Sequence, residues 1–151
     1  MQIASWIPRL EQLLLTIWVG SLLAIGYLAV PVLFHALDDR QLAGQLAGQM
    51  FHIVNLIGLL SGVALLLLAY VQGQQKTFRQ KRTYLIVAML LLTLITMLVL
   101  QPQMEAIKAQ VDWHDVSELK SRFGLLHGVS SVLYLLTSII GVMLVITNGR
   151  R

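Results

Sequence analysis

Four stretches of this sequence are apolar for about as long as a helix needs to cross a bilayer. They run over residues 10–34, 51–71, 84–100 and 123–146, and none has an acidic residue in its middle. A helix crosses the hydrocarbon in about 20 residues. Inside it, backbone N–H and C=O groups must be bonded within the segment, as a helix does. The expected fold is therefore all-α: a polytopic membrane protein with four transmembrane helices, forming one domain over 1–151. Composition agrees: 57% of the chain is apolar and 12% charged, against about 25% charged in a soluble domain. The first run is too long for the core of a cleaved signal peptide and lacks an Ala-x-Ala site after it, so it reads as a retained helix.

The charges orient the spans. Arg9, Lys76, Arg79, Lys81, Arg82, Arg150 and Arg151 fall on one side, with only Glu11 against them. The other side holds Arg40, Lys108, Lys120 and Arg122 with Asp38, Asp39, Glu105, Asp112, Asp115 and Glu118. Basic residues collect on the cytoplasmic side. Both termini and the loop 72–83 are therefore expected in the cytoplasm and, in a bacterium, the membrane is the inner one. Trp6, Tyr70 and Tyr84 then lie at the inner interface and Trp113 on the outer side. The net charge of +4 is spent on orientation, so the expected partner is the lipid bilayer and not a nucleic acid. The absence of cysteine excludes disulfides, thiolate metal sites and cysteine nucleophiles.

The outer loops carry helix-start signals. Asp38 with Gln41, and Asp115 with Glu118, have capping-box spacing. Residues 41–50 read QLAGQLAGQM, which places Ala43, Gly44, Ala47 and Gly48 on one helix face. Small residues at that spacing allow close helix approach, within the bundle or, as a homo- or hetero-oligomer contact, between chains. Gln101-Pro102 marks the end of the third span or a kink in it.

Each span also carries a small or polar stripe expected to face inward: Thr16, Gly20, Ala24, Tyr27, Pro31 and His35; Gly48, His52, Asn55, Gly58 or Leu59, and Gly62; Thr93, Met97, Gln101 and Met104; Gly124, His127, Gly128, Ser131, Tyr134, Ser138 and Gly141. Short connections make neighbouring helices antiparallel, giving a four-helix bundle. All four histidines, His35, His52, His114 and His127, fall at or near the outer side. Polar groups at membrane depth point to a site, here an outward-facing pocket. His52 and His127 could hold a haem b iron axially. His35, His52, His127, Met50 and Met104 could supply imidazole and thioether to copper. Asn55, Gln101 and Ser131 would complete the pocket. Equally, the histidines could be neutral and bonded to Asn55, Ser131 or a carbonyl, tying helices together. His114, in a polar loop, reads as solvated. No nucleotide or metalloprotease motif is present, no acid is placed to orient His127 toward Ser130 or Ser131, and no midplane carboxylate suggests a proton relay. A non-enzymatic role is the expectation.

The segments GYLAVPVLFHAL, LAGQLAGQMFHIVNLIG, LQPQMEAIK and FGLLHGVSSVLYLL, in that order over nearly the whole chain, resemble the transmembrane-protein-205-like family, or domain of unknown function 4149. Pro31, Phe34, Ala43, Gly44, Gly48, Phe51, Pro102, Phe123, His127, Gly128 and Ser130 carry the resemblance. It implies a four-span bundle. The family is in turn distantly similar to the copper-resistance D membrane proteins and to the haem-binding J-type protoporphyrinogen oxidases. The first-span histidine of those oxidases has no counterpart here beyond His35, at the very end of the span. Three functions follow as expectations: a membrane protein that handles a metal ion or small ligand in an outward pocket, a haem-b redox protein, or an accessory subunit of a membrane complex.

Overall fold

The computed structural model of the protein describes residues 3–71, 81–110, 113 and 115–148. Lys76, Arg79, Asp112, His114, Arg150 and Arg151 lie outside the described residues. Among the described residues all regular structure is helical. The first span is α1 (Ile3–Ala24), a π-helical turn (Ile25–Ala29) and α2 (Val30–Ala36). The second is α3 (Arg40–Val71). The third is α4 (Lys81–Ile95), a second π turn (Thr96–Leu100) and α5 (Gln101–Lys108). The fourth is α6 (Ser117–Asn148). Each of the four is long and apolar enough to cross a membrane.

The spans form a ring in chain order. α1 packs against α3 and α6, and α4 packs against the same two, so the first and third spans face each other across the bundle axis. One end of the bundle, the terminal end, carries the start of α1, the end of α3, the start of α4 and the end of α6. The other, the connection end, carries residues 37–39, the end of α5, Trp113 and the start of α6.

The helix starts differ from expectation by small shifts. α3 begins at Arg40, so its cap is Asp39 and not Asp38. The Asp39 Oδ1 accepts from the N–H groups of Gln41 at 2.8 Å and Leu42 at 3.0 Å, the amides that an N-cap side chain satisfies. α6 begins at Ser117, which puts Val116 in the cap position and Asp115 one residue before it. The QLAGQLAGQM stretch is the opening of α3 itself.

Pro31 and Pro102 both lie within a membrane span. Pro102 does not end the third span: the chain continues through it to Lys108. A proline has no N–H and its ring crowds the carbonyl four residues back. In each broken span a π turn lies just before the proline, and its wider bonding absorbs the mismatch: Val30 N–H reaches Ile25 O, and Gln101 N–H reaches Thr96 O. In the first span a second cause acts. Tyr134 of α6 donates its hydroxyl proton to the Leu22 carbonyl at 2.6 Å, and the Gly26 backbone N–H is bonded to the same hydroxyl. A regular α-helix joins Gly26 N–H to Leu22 C=O directly. The tyrosine stands between them, and side-chain insertion of this kind bends a helix. Gly26 permits it, because a Cβ there would overlap the Tyr134 ring.

The main core gathers Leu15, Trp18, Val19 and Leu22 from α1 with Val54, Leu65, Ile86, Met89, Leu90 and Leu144. Trp18 is wholly buried. It lies in a seat cut by Gly58 and Gly62, one turn apart on α3: a Cβ at Gly58 would collide with the indole, and one at Gly62 would collide with Leu90 and stand 3.0 Å from the indole. Gly141 is pressed in the same way by Val19, 2.8 Å from where its Cβ would be. A smaller cluster of Leu100, Ile107, Trp113 and Leu126 packs α5 against α6 at the connection end.

On the second and third spans Asn55, Gly58, Gly62 and Thr93 are buried, with Gly48, Met97, Gln101 and Met104 half-buried; His52 is a correction, exposed where the stripe placed it inward. The first stripe is a correction. Thr16, Gly20, Ala24, Tyr27, Pro31 and His35 are all exposed, and α1 turns Leu15, Trp18, Val19 and Leu22 inward instead. The fourth stripe divides. Ser138 and Gly141 are buried and Tyr134 half-buried, whereas Gly124, His127, Gly128 and Ser131 are exposed.

Candidate functional site

The connection end is open where the other end is closed. Neither the π turn of the first span nor α2 has a buried residue. Between α2 and its neighbours lies a cavity of about 330 Å³. All four spans border it: Val30 and Phe34 from α2, α3 from Arg40 to Phe51, Gln101, Met104, Glu105 and Lys108 from α5, and Phe123 and His127 from α6, with Trp113 from the connection. The walls are aromatic. Trp113 and Phe123 lie 4.7 Å apart between ring centroids, and His127 lies nearly parallel to Phe123 at 6.0 Å. Phe51 meets Tyr134 edge-on at 5.2 Å, which ties the cavity wall to the tyrosine that bends the first span.

The rim is polar. Lys108 donates to Glu105 at 2.9 Å and to the Gly44 carbonyl at 3.4 Å. Its ammonium stands 6.0 Å from the centre of the Phe123 ring, within reach of a cation–π attraction. Arg40 adds a second cation at the margin. Gly48 leaves room for the ion pair: a Cβ there would be 3.2 Å from Glu105 Oε1 and 3.4 Å from Lys108 Nζ.

A second hollow, a groove of about 700 Å³, lies between α3 and the proline-bearing part of the third span. Gln49, His52 and Ile53 border only this groove, together with Met97, Pro102 and Ala109. Gln45, Gly48, Gln101, Glu105 and Lys108 border both hollows.

The expected site residues are thus divided. His127 and Met104 face the cavity, His52 faces the groove, and Gln101 faces both. His35 is exposed on α2, Met50 is half-buried on α3, and neither lines a hollow. Asn55 is buried deeper in α3. Ser131 is exposed and donates to the main-chain carbonyl of His127 at 2.8 Å, not to its ring. Among the described residues no three histidine, aspartate or glutamate side chains come together as a metal-binding group. Ala43 and Ala47 are buried inside the chain's own bundle. Sequence reasoning missed the aromatic wall of Phe34, Phe51, Trp113 and Phe123. The available signal was their placement: three of the chain's four phenylalanines sit within a few turns of the connections.

The model of one family, a domain of unknown function (DUF4149), matches residues 13–112. That is more than half of the chain. The chain belongs to the DUF4149 family. The DUF4149 match spans the first three membrane helices and the Glu105–Lys108 pair, and it stops before Phe123 and His127. No curated protein and no solved structure matches the chain.

Proposed function

We propose that this DUF4149 protein is a membrane-embedded binding protein that takes a small organic ligand into the cavity at its connection end. One observation carries this reading: a cavity bordered by all four spans, walled by aromatic rings and rimmed by Arg40 and the Glu105–Lys108 pair. Ligand sites are typically concave, apolar pockets of roughly 300–1,000 Å³ with a few placed polar groups, and 330 Å³ is at the small end. Aromatic faces favour a flat or ring-bearing body. Arg40, the charge on the rim beyond the mutually neutralised Glu105–Lys108 pair, favours an anionic group on it, since charge-assisted hydrogen bonds are the strong ones. By the charge asymmetry of the sequence, the cavity faces away from the cytoplasm in an inner membrane. The metal and haem readings need His52 and His127 in one place, and these two line separate hollows. The ligand reading needs only the cavity.

The test uses Gly44, which borders the cavity and has open space where a Cβ would go. Gly44→Leu should take up part of the cavity, with its Cβ meeting no neighbour within 4 Å. Small molecules retained through gentle purification are identified by mass spectrometry for the wild type and for Gly44→Leu, and Trp113 emission is compared. A retained molecule that falls at least about tenfold in the variant (about 1.4 kcal/mol) supports the reading. Equal retention by two equally folded proteins overturns it.

A further inference from the structure

We infer that the groove between α3 and α5 is a lipid site, selective for a phospholipid headgroup that carries both a phosphate and an ammonium bearing N–H donors. Three observations lead there, and none depends on the central cavity being a ligand site.

The groove opens onto the bilayer. Ile53 in its wall is exposed, as are Leu56 and Leu60 further along the same face of α3 and Leu91 and Leu98 on the third span. An exposed surface of leucine and isoleucine on membrane-spanning helices is covered by hydrocarbon. The groove lies next to it toward the connections, at the depth where chains give way to headgroups.

The groove is nevertheless polar. Gln45, Gln49, His52 and Gln101 line it with the Glu105–Lys108 pair. Among the described residues, these three amides and the imidazole have no hydrogen-bond partner for their side chains. Polar groups turned toward lipid without partners are costly. A headgroup carrying phosphate oxygens and N–H donors supplies partners of both kinds, with its acyl chains continuing along Ile53 and Leu56.

The charges select the headgroup. One carboxylate and one ammonium stand 2.9 Å apart, so the pair brings no net charge to the groove. A zwitterion matches this arrangement: its phosphate takes Lys108 and its ammonium takes Glu105, each replacing the partner it displaces. A lipid of net negative charge leaves the carboxylate opposed, and a quaternary ammonium gives Glu105 no N–H to accept from.

The experiment presents the purified protein in nanodiscs with equal amounts of phosphatidylethanolamine, phosphatidylglycerol and phosphatidylcholine of identical chains, and reads retained lipid by native mass spectrometry. Phosphatidylethanolamine should be retained over both others, and its retention should fall about tenfold in Lys108→Gln and in Glu105→Gln. Gln49→Leu borders the groove alone and is exposed, so it tests the groove even where removal of the ion pair harms folding. It should lower retention too, while Gly44→Leu and Phe34→Ala should not. Preference for phosphatidylglycerol, equal retention of all three, or no effect of Gln49→Leu and Lys108→Gln in folded protein overturns the inference. Displacement of the lipid by soluble glycerophosphoethanolamine at micromolar concentration also overturns it, because the headgroup would then be bound from water.

Discussion

At the end carrying the termini, the largest side chain of the core has somewhere to go. Trp18 enters the seat left by Gly58 and Gly62, and Leu15, Met89 and Leu144 close around it with no exposed surface beyond a percent or so. At the connection end four aromatic residues gather, yet they surround a hollow. Phe34, Phe51 and Phe123 are each half-buried and line the cavity. Gly44, which borders the same cavity, has open space at its Cβ position. The difference is one of shape. Lipid tails are as apolar as leucine, so burial by itself does little to drive membrane helices together, and closure depends on how side chains fit. A tryptophan opposite two glycines fits. Four aromatic rings opposite one another leave a space that something else can occupy.

The sharpest way to break this contrast is to remove a ring at each end. Trp18→Ala deletes a fully buried side chain from a packed seat and should cost about 3–5 kcal/mol, the range for large aromatic truncation in a core. Phe34→Ala borders space already open and should cost about 1 kcal/mol. Reversible unfolding in mixed micelles reads both. Equal costs would mean that the connection end is packed as tightly as the other and that its cavity is filled in the folded protein.

The same contrast explains what the sequence made legible. Four spans, their ring and the inward face of α3 follow from run length and from Asn55, Gly58 and Gly62 at helical spacing. The face of α1 did not follow, because small and polar residues were taken to point inward. On α1 the opposite holds: Trp18 must reach the glycines of α3, and that rotation carries Thr16, Gly20 and Ala24 outward. In lipid, hydrophobicity does not separate a buried face from an exposed one, so only the partner's shape decides. That His52 and His127 border different hollows was illegible for a related reason. Depth along a helix was readable from the sequence, but azimuth was not, and His52 and His127 at similar depth turn toward different hollows. Pro102 was ambiguous between an end and a kink because the π turn that absorbs it has no residue signature of its own.

A second test concerns electrostatic closure of the terminal end. Arg82, at the start of α4, holds Glu11 of α1 across the bundle at 2.7 Å, with side chains 22% and 13% exposed. The Arg82 Nε is buried without a hydrogen-bond partner among the described residues. Glu11→Ala leaves a largely buried guanidinium without its carboxylate and should cost about 3 kcal/mol. Replacing both by apolar residues, Glu11→Leu with Arg82→Met, should cost less than Glu11→Ala alone, since no charge is then stranded. At the connection end, Glu105→Ala removes a carboxylate that is 61% exposed; the Lys108 it leaves is 18% exposed but keeps the Gly44 carbonyl and the Phe123 ring as partners, so the cost should stay within about 1 kcal/mol. A double replacement as costly as the single would mean that the Glu11–Arg82 pair stabilises the bundle in its own right, beyond neutralising two buried charges.

The smallest effects belong to the glycines, and they test the placement of faces most directly. Gly62→Ala puts a methyl group 2.5 Å from Leu90 Cδ2 and 3.0 Å from Trp18 Cη2, so the seat must open, at about 1–3 kcal/mol. Gly128→Ala, on the exposed face of α6, meets nothing within 4 Å. Removing a helical glycine there should stabilise the protein by up to about 1 kcal/mol, through a smaller loss of backbone freedom on folding. The two substitutions are chemically identical and should differ in sign, because α3 turns Gly62 toward a tryptophan and α6 turns Gly128 toward lipid. If Gly128→Ala is destabilising as well, a second surface covers that face in the membrane, and the contrast between a filled and an unfilled glycine holds only within a single chain.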